Sequence, residues 1–437
     1  MSGKKLLMIA FHYPPCAASG TMRTLNFTKY LPEFGWTPTV LTVRESLYET
    51  RDENLKIPNG VRVIRTAAFD LGFYKLRRYM RLLNIPDRYC SWLPFAVWKG
   101  RSLMKKEGIR LMYTTSPILT TNLIGLILKI WLKTTFWVAD FRDSWFLKKK
   151  MGTKAERIGG GVIGYRFEQF LMRKIVWEAD MILATTEEMK QEFLCDYPFL
   201  RAGKVKVVQN GYDEADFVNI PEKPRNKDGK CIFSHIGEIY WDVRNPKTFL
   251  DEVAQLVREN KIPRETLEIR FIGSRLVKDD LAAFKNMIAD LGLSKIVRLI
   301  DFLSHKDAIS EMFQADVLLL FQQSPMIYCA VPAKAFEYMR ALRPILTVAS
   351  EGATMRLMSV LTKGPVVYPD DRKGMSEAIL DLYQHHDLWM TCLQKTRDNV
   401  CLFNRKNQSK QLANLLDSIH SHLAGNEDRS AMGDPRS

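Results

Sequence analysis

The order of its apolar runs constrains this chain more than anything else about it. "KKLLMIAF" (Lys4 to Phe11) is strand-like, "HYPPCAASG" is a loop punctuated by Pro and Gly, "TMRTLNFTKYLPEFG" repeats apolar positions at helical spacing, and "TPTVLTV" is strand-like again. Strand, loop, helix, strand is a βαβ unit, and successive units build a parallel sheet. The alternation continues through "VRVIRTA", "IRLMYTTSP", "TTFWVADFRD", "RFEQFLMRKIVWEA", "DMILATT" and "VKVVQNGYD". Composition then turns polar, with two prolines, in "DEADFVNIPEKPRNKDGK", which reads as a linker. A second series follows: "CIFSHIGEIY", "PKTFLDEVAQLVREN", "LEIRFIGS", "IVRLIDFLS", "DVLLLFQQ", "AKAFEYMRA" and "PILTVA".

The sequence therefore predicts an α/β protein of two doubly wound, Rossmann-like domains facing each other across a cleft. The expected bounds are 1–213, a linker at 214–229, a second domain at 230–400, a final helix at 401–423, and a disordered tail at 424–437. A length of 437 residues suits two domains. Lys and Arg exceed Asp and Glu by 64 to 49, a net charge of +15 that favours phosphorylated molecules, nucleic acid or an anionic membrane as partners. The seven cysteines are scattered, with no C-x-x-C, which argues against a disulfide framework and a zinc site and for reduced thiols in the cytosol. No signal peptide and no nucleic-acid motif is read. Ile118 to Phe136 carries Lys129 and Lys133 and reads as a buried helix, not a membrane span.

Ligands of doubly wound sheets lie beyond the carboxyl ends of strands. Four such ends stand out. The Gly20 loop allows close approach to a ligand ahead of a helix, or is a plain connection. In "WVADFRDSW", Asp140, Arg142 and Asp143 close an apolar strand, either as a self-satisfied cluster or as groups that work on a hydroxyl. In "HIGEIYWDVRNPKTF", Gly237 and Arg244 precede a helix; Arg244 is a diphosphate clamp or a surface cation. In "VPAKAFEYMRALRP", Lys334 and Glu337 share a helix face, as a nucleotide pair or as a surface salt bridge. Basic and aromatic residues interleave from Phe73 to Gly108, as an anionic-membrane surface or a solvated helix pair.

Taken together, "FHYPP", "SG-x-MR", "TTSP", "WVADFRDSW", "VVQNGYD", "HIGEIYWDVRNP", "RFIGS", "DFLSHKDAISEMFQADVLLL" and "VPAKAFEYMRALRPIL" resemble, in order, the retaining GT-B glycosyltransferases of family 4. The resemblance implies an acceptor-binding first domain and a second domain holding a nucleotide-sugar. Arg244 and Lys334 would hold the diphosphate and Glu337 the ribose. Phe302 to Ser304 would approach the base, with Gly237 at the phosphates and the Gly20 loop closing over them. The catalytic set would be Asp140, Arg142, Asp143 and His12, with Asp140 or Asp143 orienting the acceptor hydroxyl. The final helix would cross back to the first domain. No metal or cofactor is expected. The acceptor would be a glycan or lipid-linked glycan of a bacterial surface polysaccharide, on a cytoplasmic enzyme peripheral to the inner membrane face. The rival readings are a GT-B-type nucleotide-sugar epimerase and a non-catalytic basic protein that docks on membrane. One departure stands out: the first of the family's usual paired glutamates is Cys329 here.

Overall fold

A computed structural model of the chain describes residues 4–18, 20–70, 87–143, 161–218, 220, 229–273, 278–324, 327–362, 364–394 and 397–431. The chain divides into two compact units, 1–209 with 405–437, and 210–404.

The first unit is built on a seven-stranded parallel sheet: β1 (Lys4–Ile9), β2 (Trp36–Val43), β3 (Arg62–Thr66), β4 (Leu111–Thr115), β5 (Phe136–Asp140), β6 (Met181–Ala184) and β7 (Val205–Val207). Their order is β3-β2-β1-β4-β5-β6-β7. Helices cover both faces of such a sheet, so its central strands carry unbroken apolar runs. Leu6, Leu7, Met8 and Ile9 of β1 are fully buried. The strand order reverses direction between β1 and β4, the switch point where loops diverge and leave a crevice. The helices of this unit are α1 (Gly20–Tyr30), α2 (Leu93–Glu107), α3 (Leu119–Trp131), α4 (Gly161–Glu178) and α5 (Glu187–Asp196).

The second unit repeats the scheme with six parallel strands: β8 (Cys231–Ile236), β9 (Leu267–Ile272), β10 (Val297–Ile300), β11 (Val317–Gln322), β12 (Ile345–Ala349) and β13 (Val366–Val367). Their order is β10-β9-β8-β11-β12-β13, with the switch point between β8 and β11. Its helices are α6 (Lys247–Arg258), α7 (Lys278–Asp290), α8 (His305–Gln314), α9 (Ala333–Ala341), α10 (Ala353–Leu361), α11 (Arg372–Gln394) and α12 (Arg397–Cys401).

The last helix, α13 (Arg405–Ala431), belongs to the first unit. Leu412, Ala413, Leu416 and Ile419 enter the core beside Leu6, Phe27 and Trp36. Asp417 accepts hydrogen bonds from Lys4 Nζ at 2.7 Å and Trp36 Nε1 at 3.0 Å.

Three stretches singled out in the sequence are placed as follows. Glu214–Phe217, expected in a linker, forms a short 3₁₀ turn capped by Asp213, whose side chain accepts from Ala215 N. Residues 221–228 of that segment lie outside the described residues. Helix α13 runs to Ala431, past the start of the expected tail, because "GNEDRSA" holds no proline and only one glycine to stop it. Residues 73–86 of the basic aromatic stretch also lie outside the described residues; the rest forms a 3₁₀ turn at Cys90–Trp92 and then α2, whose Ala96, Val97, Leu103 and Met104 are buried. Leu119–Trp131 is a core helix, as expected, with Ile124 and Leu128 fully buried. Among the described residues no helix is long and apolar enough to cross a membrane.

Candidate functional site

Two sets of polar side chains gather at strand carboxyl ends, one in each unit.

In the first unit the carboxylate of Asp140 is fully buried at the end of β5. Its Oδ1 accepts from Arg23 Nη2 at 2.8 Å. Its Oδ2 accepts from Arg23 Nε at 2.9 Å, Tyr113 OH at 2.6 Å and Thr115 Oγ1 at 3.1 Å. Arg23, 2% exposed, also donates to the carbonyls of Val208 and Gln209. Burial opposes the Arg23 charge, yet the adjacent Asp140 raises its pKa above the ordinary arginine value. Burial, reinforced by Asp140, pushes the Tyr113 phenol far up, so it stays protonated and donates.

Asp140, expected among the catalytic residues, has both oxygens hydrogen-bonded within the fold, the self-satisfied arrangement that the sequence left open. The partner is Arg23, not the neighbouring Arg142. Arg23 lies 117 positions away, in a motif read for its glycine.

Arg142, by contrast, lines the switch-point crevice with Phe11, His12, Gly20, Ser116 and Pro117. Its backbone is pinned by Ser116 Oγ accepting from its N–H and by Thr185 Oγ1 donating to its carbonyl. Its Nε is buried and donates to nothing among the described residues. An orphan guanidinium N–H is expensive to bury and is what an arriving anion or hydroxyl would satisfy. Asp143 is 58% exposed and touches Arg142 at 3.7 Å. His12 is depressed to about 4, by burial first and the Arg142 charge second, with Glu49 opposing. It is neutral at pH 7 and can exchange a hydrogen bond without carrying charge.

Gly20 is required here by space. A Cβ on it would lie 2.3 Å from Arg142 Nη1 and 2.8 Å from His12 Nδ1. Both neighbours are side-chain ends that can swing away, so Gly20→Ala is expected to fold, with a melting-temperature loss equivalent to about 1 kcal/mol or less. It should still displace Arg142 and cut turnover by about tenfold or more. Turnover equal to wild type would show that the crevice plays no part in the reaction.

In the second unit, β8 ends at Gly237, whose φ of +111° suits glycine. Gly273, at φ +76°, follows the adjacent β9, and a Cβ on it would stand 3.9 Å from the Gly237 backbone. Lys334, in the first turn of α9, projects to the same place: a Cβ on Gly237 would stand 3.5 Å from its Nζ. Lys334 Nζ donates to Ile236 O at 3.0 Å and meets His235 Nε2 at 3.0 Å. His235 Nδ1 lies 2.9 Å from Leu319 O, so Nδ1 carries the proton and Nε2 accepts from the lysine. Burial, then Lys334, holds the His235 pKa far below normal. Burial, then Arg244, likewise lowers that of Lys334. Arg244 precedes α6, lies 5.4 Å from the Tyr240 ring centroid, and has a buried Nε with no partner among the described residues. Two desolvated basic side chains thus stand beside two positive-φ glycines, with Glu238 opposing the shift on each, an arrangement of the type that suits a phosphate.

Lys334 and Glu337 do not pair with each other. Glu337 Oε1 lies 3.0 Å from His305 Nε2, where Ser304 caps α8. Phe302, 63% exposed, stands beyond the end of β10. Cys329 is fully buried. The sequence reading missed His235 and His305, the partners of the lysine and the glutamate. "HIG" directly after a strand was the available signal for the first.

Residues 20–211 match the glycosyl transferase 4-like domain, and residues 230–385 match the domain of glycosyl transferases group 1. The chain carries the two domains of a glycosyltransferase. No curated protein sequence matches it. Among solved structures, sucrose-phosphate synthase from Thermosynechococcus elongatus aligns with a TM-score of 0.70 at 16% identity, over 96% of this chain and 100% of that one. HepE from Anabaena, solved in complex with UDP-glucose, aligns at 0.62 with 16% identity, over 95% and 99%. WaaG, a glycosyltransferase involved in lipopolysaccharide biosynthesis, aligns at 0.61 with 13% identity, over 94% and 99%. At these identities the likeness speaks for the GT-B fold of the glycosyltransferase.

One cluster of metal-ligand type also forms, which scattered cysteines and histidines did not suggest. Ligand atoms of Cys231, Asp316 and His386 lie within 4.8 Å of one another. Cys231 opens β8 and Asp316 precedes β11, so this cluster sits at the amino ends of the strands, away from the Gly237 cradle.

Proposed function

We propose that this glycosyltransferase moves a sugar from a nucleotide-sugar to a hydroxyl of a glycan or lipid-linked acceptor, with retention at the anomeric carbon. The cradle of Gly237, Arg244 and Lys334 is the observation that carries the reading. A nucleoside diphosphate supplies the charge that the two depressed cations lack, and Glu337 is near enough in sequence and face to take a ribose hydroxyl. HepE is seen with UDP-glucose, which supports a UDP-linked donor. In the step itself the bond between the anomeric carbon and the β-phosphate oxygen breaks. The acceptor oxygen bonds to that carbon on the same face, and its proton passes to the departing phosphate. Arg244 and Lys334 neutralise the leaving charge, so the scheme routes no step through a metal. Arg142, His12 and Asp143 form the acceptor-side set. A bacterial surface polysaccharide or cell-envelope glycan is the product class proposed, made by a cytoplasmic enzyme peripheral to the membrane.

The test is a thermal-shift screen against UDP-, GDP-, dTDP- and ADP-sugars, in EDTA. Stabilisation by one nucleotide class is expected, followed by nucleotide release that requires an acceptor. Release without an acceptor would favour the epimerase reading, and no stabilisation by any nucleotide would overturn the donor site.

A further inference from the structure

The outward face of α4 is not the polar face that a sheet-covering helix ordinarily shows to water. Its inward residues are as expected, with Leu171, Met172, Ile175 and Val176 buried. On the opposite face, spaced by three and four, stand Arg166, Phe167, Phe170, Arg173, Lys174 and Trp177. Phe167 is 46%, Phe170 54% and Trp177 58% exposed. Arg166, Arg173 and Lys174 are exposed as well, and among the described residues none of them pairs with a carboxylate. The carboxylates of α4 are off this stripe: Glu168 is buried and Glu178 half-buried at the end. From Arg166 to Trp177 the stripe runs roughly 16 Å.

The stripe continues onto α3. Both helices join neighbouring parallel strands in the same direction, so their carboxyl ends lie at one edge of the unit. Lys129 near the end of α3 donates to Asp180, just past α4, at 2.6 Å. There Trp131 is 60% exposed beneath the Arg101 guanidinium, 5.9 Å from its ring centroid. Phe199 packs on Trp177 at 5.1 Å and under Arg173 at 5.3 Å.

We infer that this α4 ridge docks the protein on an anionic lipid surface. Three aromatic side chains left half in water are unfavourable unless something covers them. Cations that form no ion pair among the described residues favour a negatively charged cover. The outer face of a helix is convex, which suits a deformable, planar interface where Trp and Phe rings bury and Arg and Lys stems reach headgroup phosphates. The inference rests on the reading of a peripheral enzyme and names the face it uses, which centres on α4 and meets the Phe73 to Gly108 stretch at Arg101.

The experiment is flotation of the full-length protein with phosphatidylcholine vesicles, with and without phosphatidylglycerol. Wild type is expected to float only with phosphatidylglycerol, and less at high salt. The double variants Arg173→Glu/Lys174→Glu and Phe170→Ser/Trp177→Ser should each weaken partition by about tenfold or more. Both should keep the nucleotide-induced thermal shift of wild type, which shows that they fold. Wild type that fails to float at all would sink the peripheral-enzyme reading with it. Variants that float like wild type would sink only the assignment to α4. Self-association without lipid that the aromatic variant abolishes would give the ridge to a second copy and overturn the proposal.

Discussion

Asp140→Ala should unfold the first unit at markedly lower temperature, while leaving nucleotide binding by the second unit in place. The substitution strands Arg23, 2% exposed, with its charge and two donors unsatisfied. Breaking a buried pair from one side costs about 3–5 kcal/mol. For a unit of this size that is a fall in melting temperature on the order of 10 °C. Tyr113 and Thr115 lose their acceptor in the same stroke. Arg23→Met alone should cost a similar amount, and Arg23→Met with Asp140→Ala less than the sum, because the second change no longer isolates a charge. Denaturation curves of the four proteins measure this. An Asp140→Ala protein as stable as wild type, but slow in transfer, would return this aspartate to the acceptor hydroxyl.

Lys334→Met should do the opposite. In the absence of nucleotide the lysine is desolvated beside Arg244, so losing its charge removes a repulsion, and the melting temperature should hold or rise. Its depressed pKa means that the folded state binds fewer protons than the unfolded chain between the folded value and the ordinary 10.5. Wild-type stability therefore rises with pH across that window, and falls as pH drops through the folded value; the Met variant should lack this slope. Function should suffer heavily. Removing one preorganised stabiliser of a leaving group costs about 10²–10³ in turnover. The nucleotide-induced thermal shift should shrink accordingly. Lys334→Arg should not restore it, since a planar fork cannot take the place of a point charge set between His235 Nε2 and Ile236 O. Full nucleotide binding by the Met variant would remove Lys334 from the donor site.

These two residues show what could be read without a structure. The strands were legible because unbroken runs such as Val317 to Phe321 fit only a sheet covered on both faces. The helix carrying Lys334 and Glu337 was legible from its period, and its place after β11 from the alternation. Side-chain pairing was not. Asp140 meets Arg23 across 117 positions and Lys334 meets His235 across 99, and no local spacing carries such information. The same charged residues after an apolar strand fit a working carboxylate and a structural one equally well. What the structure adds is the pairing: Asp140 has both oxygens hydrogen-bonded, whereas Arg142 and Arg244 each keep a buried Nε without a partner among the described residues. The exposed aromatics of α4 escaped notice because a helix with two apolar faces looks, in sequence, like one that is simply well buried.

The packing of α13 against the first unit has a consequence for synthesis. A ribosome finishes the strands of that unit by Val207, yet Leu412, Leu416 and Asp417 are still to be made. At about 5–20 residues per second the emerging sheet waits roughly 10–45 s with Leu6, Phe27 and Trp36 uncovered. The second unit, an uninterrupted stretch of chain, completes itself in that interval. The half of the protein that begins first is the half that finishes last, and its vulnerable period is spent in the polysome. Chaperone demand, cleavage by proteases and loss to aggregation should therefore concentrate on nascent chains stalled before Arg405, and should ease abruptly once the final helix is released.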